Sequence, residues 1–338
     1  MKNLYSILLL AMFTLQLSAQ DSINAYIEEG IAHHDNGDYD KALEAYEKAL
    51  VLDPQSTVVN YEMALSYFHK KDYKNAIARA DIVIDKKDDH IISAYLVKGS
   101  ALDMMGKVKE SIKLFEKAIR KFPDNYLLHY NLALNHYKLN QMDKAQEHVI
   151  HAIESNPNHP SSHWMLANIE SAKGNTVQSI LANHYFLFLE PDSSRSSEAY
   201  TFLRENFGGN VTQEKDNAIT INVSMGEDDD PFSAAKLMLG LMGASNLLPE
   251  NADKTPEELF VENTESFFKI LGELKDQKQA GFYWEFYVPF FYDIAKSDHI
   301  ETYCMYISQS GNEKAAAWLD ANTEKIEAFD IWLKEYFQ

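Results

Sequence analysis

Cysteine is almost absent from this sequence, since Cys304 is the single one among 338 residues. One cysteine cannot form an intramolecular disulfide, so the fold must be stabilised by its core alone. Cys304 lies between Tyr303 and Met305 without a recognisable catalytic partner, and we do not expect it to act as a nucleophile. Hydrophobic residues make up 46% of the chain, which is enough for one long domain or two ordinary ones.

Positive charge is also scarce. The chain has 31 Lys and Arg against 51 Asp and Glu, for a formal net charge of −20, and the acidic excess is greatest after residue 192. Binding to nucleic acid phosphates requires clustered Lys and Arg, and an anionic membrane surface requires the same. We therefore predict no nucleic acid partner and no direct membrane binding.

Long apolar runs are lacking except near the N-terminus, where one extends from Leu4 to Leu17. It is shorter than the roughly 20 apolar residues of a membrane-spanning helix. Because Lys2 precedes the run and the small residues Ser18 and Ala19 follow it, residues 1–19 are predicted to be a secretory signal peptide cleaved near Ala19. An uncleaved amphipathic start is the alternative. We expect a periplasmic or secreted protein without a lipid anchor.

Catalytic and metal-binding motifs are missing as well. The chain has no G-x-S-x-G elbow, no H-E-x-x-H helix and no phosphate-binding glycine loop, so we predict neither an enzyme nor a cofactor. His148 and His151 lie three residues apart beside Glu147, but a zinc site needs further ligands, and a solvated face is expected. The run from Asp228 to Asp230 lacks the glycine and glutamate of a calcium loop and is predicted to be solvated.

What the sequence does contain is an internal repeat. Tyr-Asp-Lys-Ala at 39–42 is echoed by Tyr-Lys-Asn-Ala at 73–76 and by Met-Asp-Lys-Ala at 142–145. The small residue that ends this motif recurs at spacings of 34 or 35 residues, as Ala42, Ala76, Ser111, Ala145 and Ser179. A fixed period of this length predicts stacked structural repeats.

The first repeat, from Tyr26 to Pro54, resembles the tetratricopeptide-repeat family at eight positions: Tyr26, Gly30, Gly37, Tyr39, Ala42, Tyr46, Ala49 and Pro54. Four looser repeats follow in register, which makes five over residues 23–192. The resemblance implies an all-α fold, with about five helix-turn-helix units stacked in a right-handed superhelix that binds a protein or peptide. We predict an interaction scaffold or adaptor whose oligomeric state the sequence does not reveal.

Small and proline residues explain how each unit is built. Small residues at corresponding positions allow the two helices of a unit to approach closely: Gly30, Ala64, Gly99, Ala133 and Ala167. Prolines end the second helices because proline lacks an N–H donor: Pro54, Pro123, Pro157 and Pro191. Four histidines occupy positions where the family has large packing residues, and we expect them in the core: His33, His129, His136 and His163.

The resemblance also implies a concave groove lined by the first helix of each repeat. Its inward-facing positions correspond to Ile27, Ile31, Tyr61, Leu65, Phe68, Leu96, Ser100, Tyr130, Leu134, Tyr137, Trp164 and Asn168. Ile27 and Ile31 stand where family members that grip a C-terminal carboxylate have Lys and Asn, so no such clamp is expected. Exposed apolar surface of this extent marks a partner site, whereas burial by neighbouring repeats or by the C-terminal domain folding back is the alternative.

Beyond Pro191 the period fails, and residues 193–209 are predicted to form a capping helix, from Ser197 to Phe207, and a linker broken at Gly208 and Gly209. Residues 210–338 are predicted to form a mainly helical domain. Within it, Ala218 to Met225 alternates like a single strand without a recognisable partner. Asp230 and Pro231 are expected to begin a helix that ends near Ser245.

Farther along, Thr255 and Glu258 form a capping-box pattern before a helix. The aromatic stretch from Phe282 to Phe291 is expected to form part of a core, with an exposed ligand platform as the alternative. Pro289 is expected to kink or end its helix. One or two final helices contain Trp318, Phe329, Trp332 and Phe337. Residues 207–310 are similar to C-terminal regions of exported bacterial repeat proteins of unassigned function.

A second hypothesis concerns function. Dense aromatics with scattered carboxylates such as Glu285, Asp293 and Glu301 allow the C-terminal domain to be a small-ligand-binding or hydrolytic domain, with the repeats as a docking surface. A pocket with converging polar groups would favour that hypothesis, whereas an open groove without one favours the scaffold.

Overall fold

The computed structural model of the protein describes residues 21–207, 211–213, 219–221, 230–275 and 279–338. These residues are helical apart from turns and two short strands, which confirms the all-α class. The signal peptide predicted at residues 1–19, the break at Gly208 and Gly209, and Asp228 and Asp229 lie outside the described residues.

Five helical hairpins occupy the region of the predicted repeats. In chain order their helices are α1 (21–35), α2 (Tyr39–Leu52), α3 (Thr57–His69), α4 (Tyr73–Lys86), α5 (Ile91–Met104), α6 (Val108–Ile119), α7 (Tyr126–Lys138), α8 (Met142–Ser155), α9 (Pro160–Ala172) and α10 (Thr176–Leu189). Helices α2, α6, α8 and α10 each end two to four residues before a proline of the predicted set. The helix-turn-helix prediction is therefore confirmed.

The turn inside each hairpin has the same backbone geometry. Its left-handed residues have φ between 56° and 78° and recur with the sequence period: Gly37, Lys71, Gly106, Asn140 and Gly174. The N–H of the next residue bonds to a carbonyl five positions back, as from Asp38 to His33 at 2.9 Å and from Asn175 to Glu170 at 2.9 Å. This helix-ending pattern satisfies carbonyls that the helix leaves unpaired, so it fixes the turn direction.

Two glycines allow the helices of a hairpin to approach closely. A Cβ added to Gly30 would lie 2.2 Å from the Tyr46 ring, and one added to Gly99 would lie 2.0 Å from the Phe115 ring. Each ring therefore fills the space that the missing side chain leaves. Ser111 donates a hydrogen bond to the carbonyl of Gly99 at 2.8 Å, and Ser179 donates one to the carbonyl of Ala167 at 2.8 Å, which accounts for serine where the other three repeats have alanine.

The chain divides into two compact units between His148 and Val149, within α8. In the first unit, consecutive first helices lie side by side, because α3 contacts α5 and α5 contacts α7. The fifth hairpin belongs to the second unit, although the sequence places the domain boundary after residue 192. That predicted boundary stays a prediction.

In the second unit, α10 is packed against many of the later helices. Ten of its fourteen residues are buried, and it contacts α9, α11, α12, α14 and α15. The elements after α10 are α11 (Ser194–Asn206), β1 (Val211–Gln213), β2 (Ile219–Ile221), α12 (Ser233–Asn246), a 3-10 turn (Pro249–Asn251), α13 (Pro256–Lys275), α14 (Phe282–Lys296), α15 (Ile300–Ser308), a second 3-10 turn (Gln309–Gly311), α16 (Glu313–Ala321) and α17 (Thr323–Tyr336).

Three details of the C-terminal part correct the sequence prediction. The predicted strand has a partner, because Ile219–Ile221 pairs antiparallel with Val211–Gln213. Of the two outcomes predicted for Pro289, a kink or the end of a helix, the end is wrong, since Pro289 lies inside α14. Helix α12 begins after Phe232, because Asp230 accepts the Phe232 N–H at 3.0 Å and makes a turn instead of the cap.

One detail of the same region is confirmed. The capping box of α13 is formed by reciprocal bonds between Thr255 and Glu258. The Thr255 N–H donates to the Glu258 carboxylate at 2.8 Å, and the Glu258 N–H donates to the Thr255 hydroxyl at 3.2 Å. Two backbone donors at the start of the helix are thereby satisfied, as the sequence pattern predicts.

Candidate partner-binding groove

Ten of the predicted groove residues lie on α1, α3, α5 and α7 of the first unit. None is buried: Ile31 is 36% exposed and the other nine are half-buried. By contrast, the side chains that fill the hairpins are inaccessible, with Tyr46 at 0% and Phe115 at 1%. The first helices thus keep one face in their cores and leave an apolar, aromatic face in contact with solvent.

Tyr61 shows how neighbouring repeats position a groove side chain. Its ring stacks on the His90 ring that precedes α5, with centroids 5.3 Å apart. Burial raises the pKa of Tyr61, and a hydrogen bond with Ser93 opposes that shift. Burial also raises the pKa of the adjacent Glu62 carboxyl, while His90 lowers it. The contacts with His90 and Ser93 therefore join Tyr61 of α3 to the start of the next repeat.

An ion pair crosses the same surface. Lys138 on α7 bonds to Asp103 on α5, whose side chain is only 12% exposed. Asp103 lies 35 residues after Phe68 and 34 before Tyr137, so it occupies the same repeat position as these aromatic residues. The prediction omitted Asp103 because it selected apolar residues, although the repeat spacing alone identifies the position.

Trp164 and Asn168, on α9, are the two groove residues of the second unit. They line a small cavity of about 50 Å³ together with Glu198 and Phe202 of α11. Glu198 and Phe202 lie 34 residues after Trp164 and Asn168, so α11 continues both rows of groove residues. The chain's own capping helix therefore borders the second-unit residues Trp164 and Asn168.

Arg195 packs against the ring of Trp164, one of the residues that line this cavity. Its guanidinium lies 5.1 Å from the centre of the Trp164 ring and bonds to both carboxylate oxygens of Glu190, at 3.1 and 2.5 Å. A third bond joins it to Ser161 at 3.0 Å. Although burial opposes it, the bonds from Arg195 hold the pKa of the Glu190 carboxyl below its usual range. Arg195 is therefore neutralised by Glu190.

The histidines that the sequence analysis considered make separate contacts in the structure. His129, His136 and His163 are buried, as predicted, whereas His33 is half-buried. His148 faces His129, with their Nδ1 atoms 3.3 Å apart, while His151 faces Glu154 at 3.5 Å. Among the described residues, no group of three or more His, Cys, Asp or Glu side chains is placed to hold a metal ion.

Three side chains of the C-terminal part that the sequence analysis singled out are buried or make local contacts. Cys304 is buried, and burial raises the pKa of its thiol. Glu285 accepts the N–H of Gly281 at 3.1 Å, and Glu301 pairs with Lys325 at 2.7 Å. These two carboxylates thus serve separate local contacts. Within the described ranges, no helix combines the length and apolarity needed to cross a membrane.

Comparison with known proteins gives matches within the repeats. Two profiles described as tetratricopeptide repeat match residues 23–56 and 104–169. RNA polymerase II-associated protein 3 of Mus musculus is 27% identical over 130 residues, which are 38% of this chain and 20% of that protein. The chain thus spans about a fifth of the length of this first relative.

A second relative is matched over most of its length. The photosystem I assembly protein Ycf3 of Prochlorococcus marinus is 30% identical over 120 residues, which are 30% of this chain and 68% of that protein. Among solved structures, Pseudomonas aeruginosa pilF is 19% identical, with a TM-score of 0.48 over 56% of this chain and 85% of that one.

Proposed function

Since this chain belongs to the tetratricopeptide-repeat family, we propose that it is a protein-protein interaction scaffold that holds a segment of a partner in its repeat groove. The observation that carries the proposal is the partly exposed apolar face along α1, α3, α5 and α7. A contiguous surface of this kind on a folded protein usually marks a partner site. The similarity to a photosystem I assembly protein supports the same class of function.

The groove chemistry favours an extended or helical segment with apolar side chains. Tyr61, Tyr130 and Tyr137 provide broad rings with a polar tip, which is the combination found at binding hot spots. The net charge of −20 supports a protein partner over nucleic acid, because phosphate groups would be repelled.

Photo-crosslinking in the source cells tests this proposal. A benzophenone amino acid placed at Leu96 or Tyr130 should crosslink one defined protein, whereas the same residue at exposed Lys117 on α6 should not. Equal crosslinking at all three positions would place the partner elsewhere and overturn the proposal. A repeat experiment with Tyr130→Ala should reduce the Leu96 crosslink, because it removes a neighbouring anchor.

We propose further that the protein works outside the cytoplasm as a periplasmic or secreted protein. The support is the charged, apolar and small-residue order of residues 1–19. Mass spectrometry of the protein isolated from cells should find an N-terminus near Gln20. Intact Met1 on protein from the cytoplasmic fraction would contradict this proposal.

A further inference from the structure

Two carboxylates on the first helices of the first unit have no cation of their own. Glu62 on α3 is half-buried and Asp35 on α1 is exposed, and neither forms an ion pair or a hydrogen bond within the described part of the chain. Asp103 on α5, by contrast, pairs with Lys138. Withdrawing a carboxylate from water without a partner costs stability. The half-buried Glu62 is therefore a feature that the fold alone does not explain.

Both carboxylates lie beside predicted groove residues. Asp35 follows Ile31 by four positions and Glu62 precedes Leu65 by three, and these spacings place the side chains of each pair on one face of the helix. Burial raises the pKa of Glu62, the charge of His90 lowers it, and the charge of Asp35 raises it further. An imidazole carries only a fraction of a charge at pH 7, so His90 does not supply a full cation. The two carboxylates thus remain acidic groups at the edge of an apolar surface.

A buried hydroxyl without a partner lies near the same two carboxylates. Tyr46 is 0% exposed, and its hydroxyl has no hydrogen-bond partner among the described residues. Burial is the main cause that raises the pKa of Tyr46, and the charges of Glu62 and Asp35 raise it further. Ser66 lowers this pKa, but the Ser66 hydroxyl is bonded to the His34 Nδ1 at 2.7 Å. Because buried polar groups nearly always have a partner, the Tyr46 hydroxyl is a second, independent indication of an occupant.

Deepening the proposed function, on which this inference rests, we propose that Glu62 and Asp35 bind a lysine or arginine side chain of the partner segment. Its aliphatic stem packs on Ile31 and Leu65, and its cationic head donates to the two carboxylates, with the Tyr46 hydroxyl as the buried polar group of the site. Hydrogen bonds from a cation to a carboxylate are stronger than neutral ones, and the cation also offsets the repulsion between the carboxylates. The partner segment therefore has a basic residue against α1 and α3 and apolar residues along α5 and α7.

Selection from a displayed library of random peptides about twelve residues long tests the inference with the full chain. The wild type should enrich peptides with apolar residues and a recurrent Lys or Arg, and Glu62→Gln should lose that basic preference. Glu116→Gln is the matched control, because Glu116 is an exposed glutamate on the second helix α6 of the same unit. It removes the same charge and should retain the preference.

Affinities of one selected peptide then isolate the contact. Replacing its basic residue by norleucine should weaken binding about tenfold to the wild type but little to Glu62→Gln, because the lost contact is already absent there. If peptides are enriched without a basic preference, if Glu116→Gln loses the preference as well, or if the two changes are additive, the inference is wrong while the proposed groove stands. If no peptide is enriched at all, both are wrong.

Urea unfolding at pH 7 separates a binding role of Glu62 from a structural one. Glu62→Gln should unfold at no lower urea concentration than the wild type, because burial and the charge of Asp35 both oppose the charge of Glu62 in the folded chain. A loss of the basic preference with an unchanged or raised midpoint supports the inference. A lowered midpoint would show that the fold itself uses Glu62, and the inference would then be wrong.

Discussion

Two buried histidines should make the second unit sensitive to acid. Burial lowers the pKa of His163 and of His184 from 6.5 to about 3. The Nε2 of His163 lies 2.8 Å from the carbonyl of Pro157 and its Nδ1 lies 2.7 Å from the Tyr287 hydroxyl. The Nε2–H therefore donates to Pro157 and the Nδ1 accepts from Tyr287. A second proton on Nδ1 would remove that acceptor.

His184 is enclosed more completely. Its ring lies among Phe260, Phe268 and Phe291, with centroids 4.9 to 6.3 Å away. Its Nδ1 is 3.0 Å from the Tyr303 hydroxyl, which is 3.3 Å from the His184 carbonyl. The Nε2 has no hydrogen-bond partner among the described residues. A proton placed there would bring an unsolvated charge into an aromatic cluster.

The sign and size of the effect are set by proton linkage. Because the folded pKa values lie below the unfolded value, the unfolded chain binds more protons between pH 6.5 and 3. The stabilising contribution is complete above pH 6.5 and is lost progressively as the pH falls through that window. At pH 5 each histidine should cost about 2 kcal/mol relative to pH 7, at about 1.4 kcal/mol per pKa unit. Both together are a large fraction of a typical unfolding free energy of about 5–15 kcal/mol.

Urea unfolding followed by tryptophan fluorescence at pH 7 and pH 5 measures this loss. We expect His184→Phe to reduce the difference in unfolding free energy between the two pH values by about 2 kcal/mol, whatever its effect at pH 7. His151→Gln is the control, since His151 is exposed and should leave the difference unchanged. The carboxyls of Glu190 and Asp230 have lowered pKa values, so their contribution to the unfolding free energy is lost at a more acidic pH than that of the histidines. A His184→Phe variant with the wild-type pH dependence would refute the reasoning.

Three further changes test the repeats. Phe115→Ala should cost about 3–5 kcal/mol of stability through the cavity it leaves. Tyr130→Ala should instead melt close to the wild-type temperature while losing the partner. Equal melting temperatures for the two variants would mean that the Tyr130 ring is a core residue. Gly99→Ala places a methyl against the Phe115 ring and should cost about 1–3 kcal/mol in urea unfolding, so an unchanged midpoint would disprove the close approach. Lys71 has φ of 65°, and Lys71→Gly should stabilise by about 1 kcal/mol; a lower melting temperature would show that the lysine side chain matters more than the strain.

The sequence predicts the repeats well because several signals share one period. The small residues, the helix-ending prolines and the motif containing Ala42 and Ala76 repeat together, and each has a local physical reason. Even the left-handed turns keep the period, although Lys71 and Asn140 replace glycine at two of them. Local preference and long-range packing agree in this part of the chain.

The C-terminal part is less predictable because packing there overrides local preference. Pro289 removes one helix hydrogen bond, which costs about 3 kcal/mol in an isolated helix. Its neighbours Tyr287, Val288, Phe290 and Phe291 are all buried, and burial of large side chains at about 1.5–3 kcal/mol each outweighs that cost. Strand β1 was missed because three residues carry too little alternation to distinguish a strand from a loop.

Groove residues were predicted on five helices, and α11 keeps the same repeat spacing beyond the last of them. Glu198 and Phe202 occupy the repeat positions of Trp164 and Asn168, yet the position that corresponds to Ala167 holds the exposed Thr201. Because no small residue identifies α11 as a first helix, its repeat register becomes visible only through the cavity it borders. The capping helix was predicted from its place in the chain, whereas its contribution to the lining of this cavity was not predicted.

Helix α10, the last helix of the repeats, is covered by several later helices and not by α11 alone. The second helix of an internal repeat is covered by its own partner and by the next repeat, which here is represented by α11 alone. The buried faces of α10 also include His184 and Tyr185, which contact Tyr303 of α15 and Phe290 of α14. These rings are larger than one short helix can cover. Much of the aromatic stretch from Phe282 to Phe291 is therefore part of the core that stabilises the last repeat.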